Sequence, residues 1–178
     1  DKRGTAFIVF HPSWGYFVEK GATTIWELWN GDIEGPEMNS GNHFALGSCG
    51  EWYYGYLAGI KPATEAPGFK KIIFSPMPAE GLEWAKASIK TTYGIVSSHW
   101  QKKGNTIEYN FNVPVNTTAE FYLPSLEKKV KSVKESEVFV FQNDKLIPSE
   151  GIELTKTNKD EAVFSLVSGE YHFVVEYD

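Results

Sequence analysis

The sequence predicts a mixed, mainly β protein in which a loop-and-helix stretch leads into an antiparallel β-sandwich. Three observations carry that expectation. Apolar and polar residues alternate through "SIKTTYGIVSSHWQKKGNTIEYNFNVPVNTTAEFYLP", the period-two pattern of strands with one buried face. Pro62, Pro67 and Gly68 interrupt any period within "GIKPATEAPGFKK", so a boundary falls there. Ahead of it, "NSGNHFALGSCGEWYYGYLAGI" places apolar residues near a three-to-four spacing, the helical period. Two domains are expected, residues 1–64 and 65–178.

In the first domain the predicted helix has Ser40 or Asn42 as N-cap, Gly59 as stop and Pro62 just beyond, the usual punctuation of a helix. It is apolar on most sides, through Phe44, Cys49, Trp52, Tyr56 and Ile60. Gly47, Gly50 and Gly55 each weaken it by ~1 kcal/mol in isolation, which points to close packing against neighbours.

In the second domain Ile107, Tyr109, Phe111 and Val113 share one strand face, preceded by a turn at Lys103-Gly104-Asn105 and followed by a strand facing Ala119, Phe121 and Leu123 inward. "EVFVFQND" reads as a further strand. "EAVFSLVSGEYHFVVEYD" reads as strand again, bent at Ser168-Gly169. Short strands with Gly, Pro and Asn turns make a sandwich the expected architecture.

Composition narrows the function. The 178 residues are 42% hydrophobic and 22% charged with a net charge of -6, so nucleic acid and anionic membranes are repelled on average. Neither is expected as a partner. No segment approaches ~20 apolar residues, so no membrane span is expected. Cys49 is the only cysteine, which excludes a disulfide within the chain. His11, His43, His99 and His172 lack metal-ligand spacing, and no phosphate-binding glycine loop is present. Neither metal nor cofactor is expected.

Aromatic residues make up 15% of the chain. They serve either a heavy core or a sugar-binding surface, since rings stack on the C–H faces of pyranoses. Trp84 and Trp100 are the sandwich's candidates for sugar contact, although their strand-like settings predict core burial. A carbohydrate-binding or purely structural sandwich is therefore the alternative reading.

Carboxylates are the better lead for catalysis, because glycoside hydrolysis generally uses two. Glu27 sits within "GATTIWELWNGD", where Trp26 and Trp29 give rings to pack against a sugar. By spacing alone the plainer reading, a helix cap or a lysine's partner, prevails.

The order of the motifs separates these readings. "PSWGY", "GATTIWE", "MNS" and "NH" within residues 12 to 60, followed by "FSPMP" and a closing "SGEYHFVVEY", strongly resemble the C-terminal end of α-L-rhamnosidases of glycoside hydrolase family 78. The resemblance covers most of the chain and is most specific over residues 12 to 60. It implies that residues 1–64 are the last helices of an (α/α)6 barrel, and that the whole enzyme releases terminal α-L-rhamnose from glycosides or polysaccharides with inversion. It further implies that Glu27 is the general base and that His43 contacts the rhamnose, with Trp29, Asn39 and Asn42 lining the pocket. The family's general acid lies upstream, and none of Glu19, Asp32, Glu34, Glu37 or Glu51 matches it. Asp32 and Glu34 are expected in a solvated loop. The chain alone is thus expected to be inactive, and its helices to need upstream barrel residues, a second copy or loose packing against the sandwich as cover. Family members occur in the cytoplasm and in exported forms, which leans the expectation toward the periplasm or the exterior.

Overall fold

The computed structural model describes residues 14–37, 40–124, 126, 128–142, 145–158 and 161–178. The chain separates into two compact units, Asp1–Trp52 and Tyr53–Asp178.

The second unit holds twelve strands among the described residues. In chain order they are β1 (Ile60–Pro62), β2 (Lys71–Phe74), β3 (Trp84–Thr91), β4 (Gly94–Lys103), β5 (Thr106–Val113) and β6 (Thr118–Leu123), then β7 (Val130–Glu135), β8 (Val138–Gln142), β9 (Lys145–Leu146), β10 (Ile152–Asn158), β11 (Glu161–Leu166) and β12 (Gly169–Tyr177). They form a five-stranded sheet, β1-β2-β6-β11-β10, and a seven-stranded sheet, β3-β4-β5-β12-β7-β8-β9. All pairings are antiparallel except β2 with β6, which runs parallel.

Alternation places the core between the sheets. Ile107, Tyr109, Phe111 and Val113 of β5 are buried, as are Ala119, Phe121 and Leu123 of β6. Phe111 of the seven-stranded sheet lies 4.3 Å from Phe74 and 4.8 Å from Phe121 of the other, ring centroid to centroid. Phe173 on β12 meets Phe121 at 5.1 Å and Phe164 at 5.7 Å. These phenylalanines carry no polar atoms to satisfy, so tight interdigitation of the two inner faces proceeds without a hydrogen-bond cost.

Two strand expectations take a different form. Ser168-Gly169 is not a bend within one strand: β11 pairs with β6 and β12 with β5, so the chain changes sheet at that point. β6 likewise leaves the β4–β5 hairpin for the five-stranded sheet.

The tryptophans part company too. Trp100 is fully buried, with Nε1 donating to the Leu57 carbonyl at 2.8 Å. Trp84 is 58% exposed, which overturns its expected burial. Its strand turns Ala85 inward, so Trp84, Lys86, Ser88 and Lys90 share the outer face.

The predicted long helix is broken into three turns of different pitch. Phe44–Ser48 is 3₁₀, Cys49–Trp52 is α-helical and Tyr53–Leu57 is π-helical, closed by the Ala58 amide donating to the Tyr53 carbonyl at 2.9 Å. The position before the first turn is His43, which makes no side-chain cap bond. Without a cap and with glycine at 47, 50 and 55, no single pitch is enforced. The chain then turns at Gly59, where φ is +73° and an added Cβ would lie 2.1 Å from the Pro76 nitrogen. Residues 57–59 are stitched to the strands: the Ala58 carbonyl accepts from Ser98 Oγ at 2.7 Å and the Gly59 carbonyl from the Ser75 amide at 2.8 Å. With β1 beginning at Ile60, residues on the near side of position 64 already belong to a sheet.

The first unit is described by short pieces: helix over residues 14–19, a second turn at Gly31–Glu34 and a 3₁₀ turn at Gly35–Glu37. No helix among the described residues is long and apolar enough to cross a membrane.

Candidate active site

Glu27 and His43 lie sixteen positions apart, and backbone pairing brings them together. The His43 amide donates to the Ile25 carbonyl at 2.7 Å and the Glu27 amide to the Ser40 carbonyl at 2.9 Å. Thr24 Oγ1 adds a bond to the Gly41 carbonyl. Residues 24–27 and 40–43 thus form a short ladder, rich enough in backbone bonds to hold its side chains without regular secondary structure. Across it, His43 Nδ1 stands 3.6 Å from Glu27 Oε2. That separation is an ion-pair distance beyond hydrogen-bond range, so the carboxylate is near the imidazole without being committed to it. Both side chains are about one-third exposed, within reach of a substrate or a water molecule.

A ring cluster supports the strand of chain that carries Glu27. Phe17 is buried at its centre, stacked on Trp29 at 5.0 Å and tilted against Trp26 at 5.3 Å. Trp14 meets the Trp29 ring edge-on at 5.5 Å. Trp29 is therefore anchored by two neighbours while 47% of it is exposed. It can contribute both packing and a ring surface.

Of the remaining expected pocket residues, Asn42 is exposed and its amide donates to Ser40 Oγ at 3.2 Å, which helps shape the turn ahead of His43. Asn39 lies outside the described residues.

Asp32, expected in a solvated loop, is exposed but lies on the Gly31–Glu34 helical turn and is held from two sides. Tyr16 Oη donates to it at 2.8 Å and Lys20 Nζ stands 3.2 Å away. These contacts, the tyrosine hydroxyl foremost, hold its carboxyl below the usual carboxylate range. An ionised Asp32 is unsuited to donate a proton as general acid. The sequence signal for this arrangement was Tyr16 and Lys20 at i and i+4 on one helix face. Cys49 is pushed the other way: burial raises its thiol, contrary to what a thiolate nucleophile needs. Among the described residues no cluster of three or more His, Cys, Asp or Glu could hold a metal ion.

A unit of short helical turns, whose irregular segments carry a glutamate–histidine pair, precedes a β-sandwich; family matches assign a class to both parts. Residues 9–57 match the family model of the bacterial alpha-L-rhamnosidase 6 hairpin glycosidase domain, and residues 59–138 that of the bacterial alpha-L-rhamnosidase C-terminal domain. The chain belongs to the bacterial α-L-rhamnosidase family, and corresponds to its C-terminal part.

Individual proteins agree. An α-L-rhamnosidase of Formosa agariphila is 37% identical over 172 residues, which cover 94% of this chain and 18% of that protein. The solved α-L-rhamnosidase of Dictyoglumus thermophilum is similar with a TM-score of 0.74 at 37% identity, over 93% of this chain and 17% of that one. That of Streptomyces avermitilis, solved with L-rhamnose, gives a TM-score of 0.71 at 34% identity over 93% of this chain and 15% of that one. The chain spans only 11% to 18% of the length of the curated relatives it matches.

Proposed function

We propose that this chain supplies the general base and part of the sugar pocket of an inverting α-L-rhamnosidase. Glu27 removes a proton from a water molecule whose oxygen attacks the anomeric carbon of a terminal α-L-rhamnose. The bond from that carbon to the glycosidic oxygen breaks, and a carboxylic acid from outside the chain protonates the departing oxygen. His43, beside Glu27, contacts the sugar near the reacting carbon, and Trp29, Asn39 and Asn42 line its surroundings. The observation that carries this reading is the 3.6 Å approach of Glu27 and His43 across the 24–27/40–43 ladder, in a unit matched by the glycosidase-domain model. In the pair of carboxyls that inversion requires, ~6.5–9.5 Å apart, Glu27 is one. Asp32, tied to Tyr16 and Lys20, does not serve as the other.

The same reading gives the exposed apolar residues of the first unit a purpose. Val18, Ile33 and Phe44 are 75% exposed or more, and upstream barrel helices would cover them in the whole enzyme. With the general acid supplied from outside it, the isolated chain has negligible activity.

The test is hydrolysis of an aryl α-L-rhamnoside by the 178-residue chain and by a form extended upstream to a complete barrel, each with its Glu27→Gln variant. Activity is expected in the extended form only, reduced by roughly 10²–10⁴-fold or more in the variant. An extended enzyme indifferent to Glu27→Gln would remove the glutamate from the mechanism.

A further inference from the structure

The outer face of the seven-stranded sheet carries a strip that the reading above does not use. Along β3 it consists of Trp84, Lys86, Ser88 and Lys90, and along β4 of Ile95, Ser97, His99 and Gln101. The register places Trp84 opposite Gln101, Lys86 opposite His99, Ser88 opposite Ser97 and Lys90 opposite Ile95. Trp84 is 58% exposed and Ile95 57%, so the strip presents apolar surface at both ends, with Lys90 beside Ile95 and Lys86, His99 and two serines between.

An edge strand commonly carries lysines to deter pairing with other chains, and β3 is an edge. That accounts for Lys86 and Lys90 but not for a tryptophan on the same face, which water would penalise. Trp84 is also positioned: its ring and that of His99 stand nearly perpendicular with centroids 6.5 Å apart, while more than half of the tryptophan stays open to solvent. Burial, and then the nearby Lys86 charge, hold the His99 imidazole below its ordinary value. A neutral imidazole offers one donor and one acceptor to a hydroxyl.

The cations decide what kind of ligand fits. Glu108, the nearest acidic side chain in the adjoining row, is neutralised by Lys103 at 2.8 Å and lies 3.8 Å from His172. Lys86 and Lys90 have no ion-pair partner among the described residues. Four residues apart on a strand rising ~3.3 Å per residue, they are separated by ~13 Å along the face. A stacking ring, hydroxyl-binding groups and two uncompensated positive charges on a chain of net charge -6 describe a local exception to its overall electrostatics.

We propose that this β3–β4 face binds an acidic saccharide chain, one bearing uronate carboxylates, with Trp84 stacking on a pyranose ring and Lys86 and Lys90 receiving its carboxylates. The strip belongs to the second unit, and the proposal does not rest on the catalytic reading. It would retain the protein on a carboxylated polysaccharide.

The experiment is calorimetric titration of the full chain with oligogalacturonate, with a neutral oligosaccharide of equal length and with tripolyphosphate. The uronate oligomer should bind best, and should weaken as salt rises from about 0.1 M to about 1 M, where the screening length falls from ~10 to ~3 Å. Trp84→Ala and the double variant Lys86→Ala/Lys90→Ala should each lose about tenfold or more in affinity, as stacking and charge anchors do. Only the lysine variant should flatten the salt dependence. All three substituted side chains are solvent-facing, so thermal unfolding should be unchanged and the variants remain interpretable. Equal binding of the neutral oligomer, equal binding of tripolyphosphate, wild-type affinity in both variants, or no binding at all would each overturn the proposal. Loss of binding in Glu27→Gln would also overturn it, by showing that the saccharide occupies the catalytic pocket instead.

Discussion

Phe17 and Phe121 are both buried phenylalanines, and their surroundings differ in kind. Phe121 contacts Tyr109, Phe111, Phe164 and Phe173, each itself no more than 3% exposed. Phe17 contacts Trp14, Trp26 and Trp29, and Trp29 is almost half open to solvent. The sandwich uses aromatic rings as a sealed core whose members support one another. The first unit uses them as a scaffold one ring deep, part of which stays open to solvent. Stability and access are assigned to different stretches of one chain.

The comparison breaks most readily at Phe173. It bridges the sheets through Phe121 and Phe164 and is fully buried. Phe173→Ala should cost about 3–5 kcal/mol of the sandwich's unfolding free energy, measured by denaturant titration. A cost below ~1 kcal/mol would mean that the core is looser than its ring contacts indicate, and the contrast with the first unit would lose its basis.

Gly59 probes the seam where the helical turns enter the sandwich. Gly59→Ala places a side chain at φ +73° and drives its Cβ to 2.1 Å from the Pro76 backbone, a contact that no flexible side chain can relieve. Backbone strain alone is on the order of 1–3 kcal/mol, and displacement of Pro76 adds to it. The expected readout is a lower midpoint in thermal melting, with Ser98→Ala giving a smaller loss of ~1–3 kcal/mol as the Ala58 carbonyl is left unpaired. If Gly59→Ala melted like the parent, residues 57–59 would not be a fixed part of the sandwich.

The same contrast explains what the sequence made legible. Strand β5 was readable because its inward residues are all large and apolar and its outward ones polar, a pattern local to eight residues. The sheet change between β11 and β12 was not, because both strands have the same alternation and only distant partners decide which sheet each joins. Parallel pairing of β2 with β6 is hidden for the same reason. Trp84 could have been placed correctly: in "WAKASIK" the small and aliphatic residues Ala85, Ala87 and Ile89 are the inward set, and parity puts the tryptophan with the lysines. At the candidate site, spacing said nothing of the Glu27–His43 approach. It is made by backbone bonds between irregular segments, and only motif order pointed to it.

Tyr109 and Tyr177 supply the mildest test, and it concerns only the sealed region. Tyr177 Oη donates to the Pro124 carbonyl at 3.0 Å and lies 3.4 Å from the Tyr109 hydroxyl. Burial pushes Tyr177 up to about 12 and Tyr109 well above its ordinary 10.0. Below pH ~10 both folded and unfolded chains keep these protons, so stability is independent of them. Between about pH 10 and 12 the unfolded chain releases protons that the folded one retains. Unfolding is then favoured as pH rises, with a slope on the order of 1.4 kcal/mol per pH unit for each group. The stabilisation is lost as pH climbs through the folded value. Denaturant titrations across this window should show the decline, and Tyr177→Phe, which has no proton to release, should make it shallower while lowering stability at neutral pH by ~1 kcal/mol. An unaltered slope in that variant would place the alkaline sensitivity elsewhere, and would leave the hydroxyl pair as a packing feature without linkage to folding.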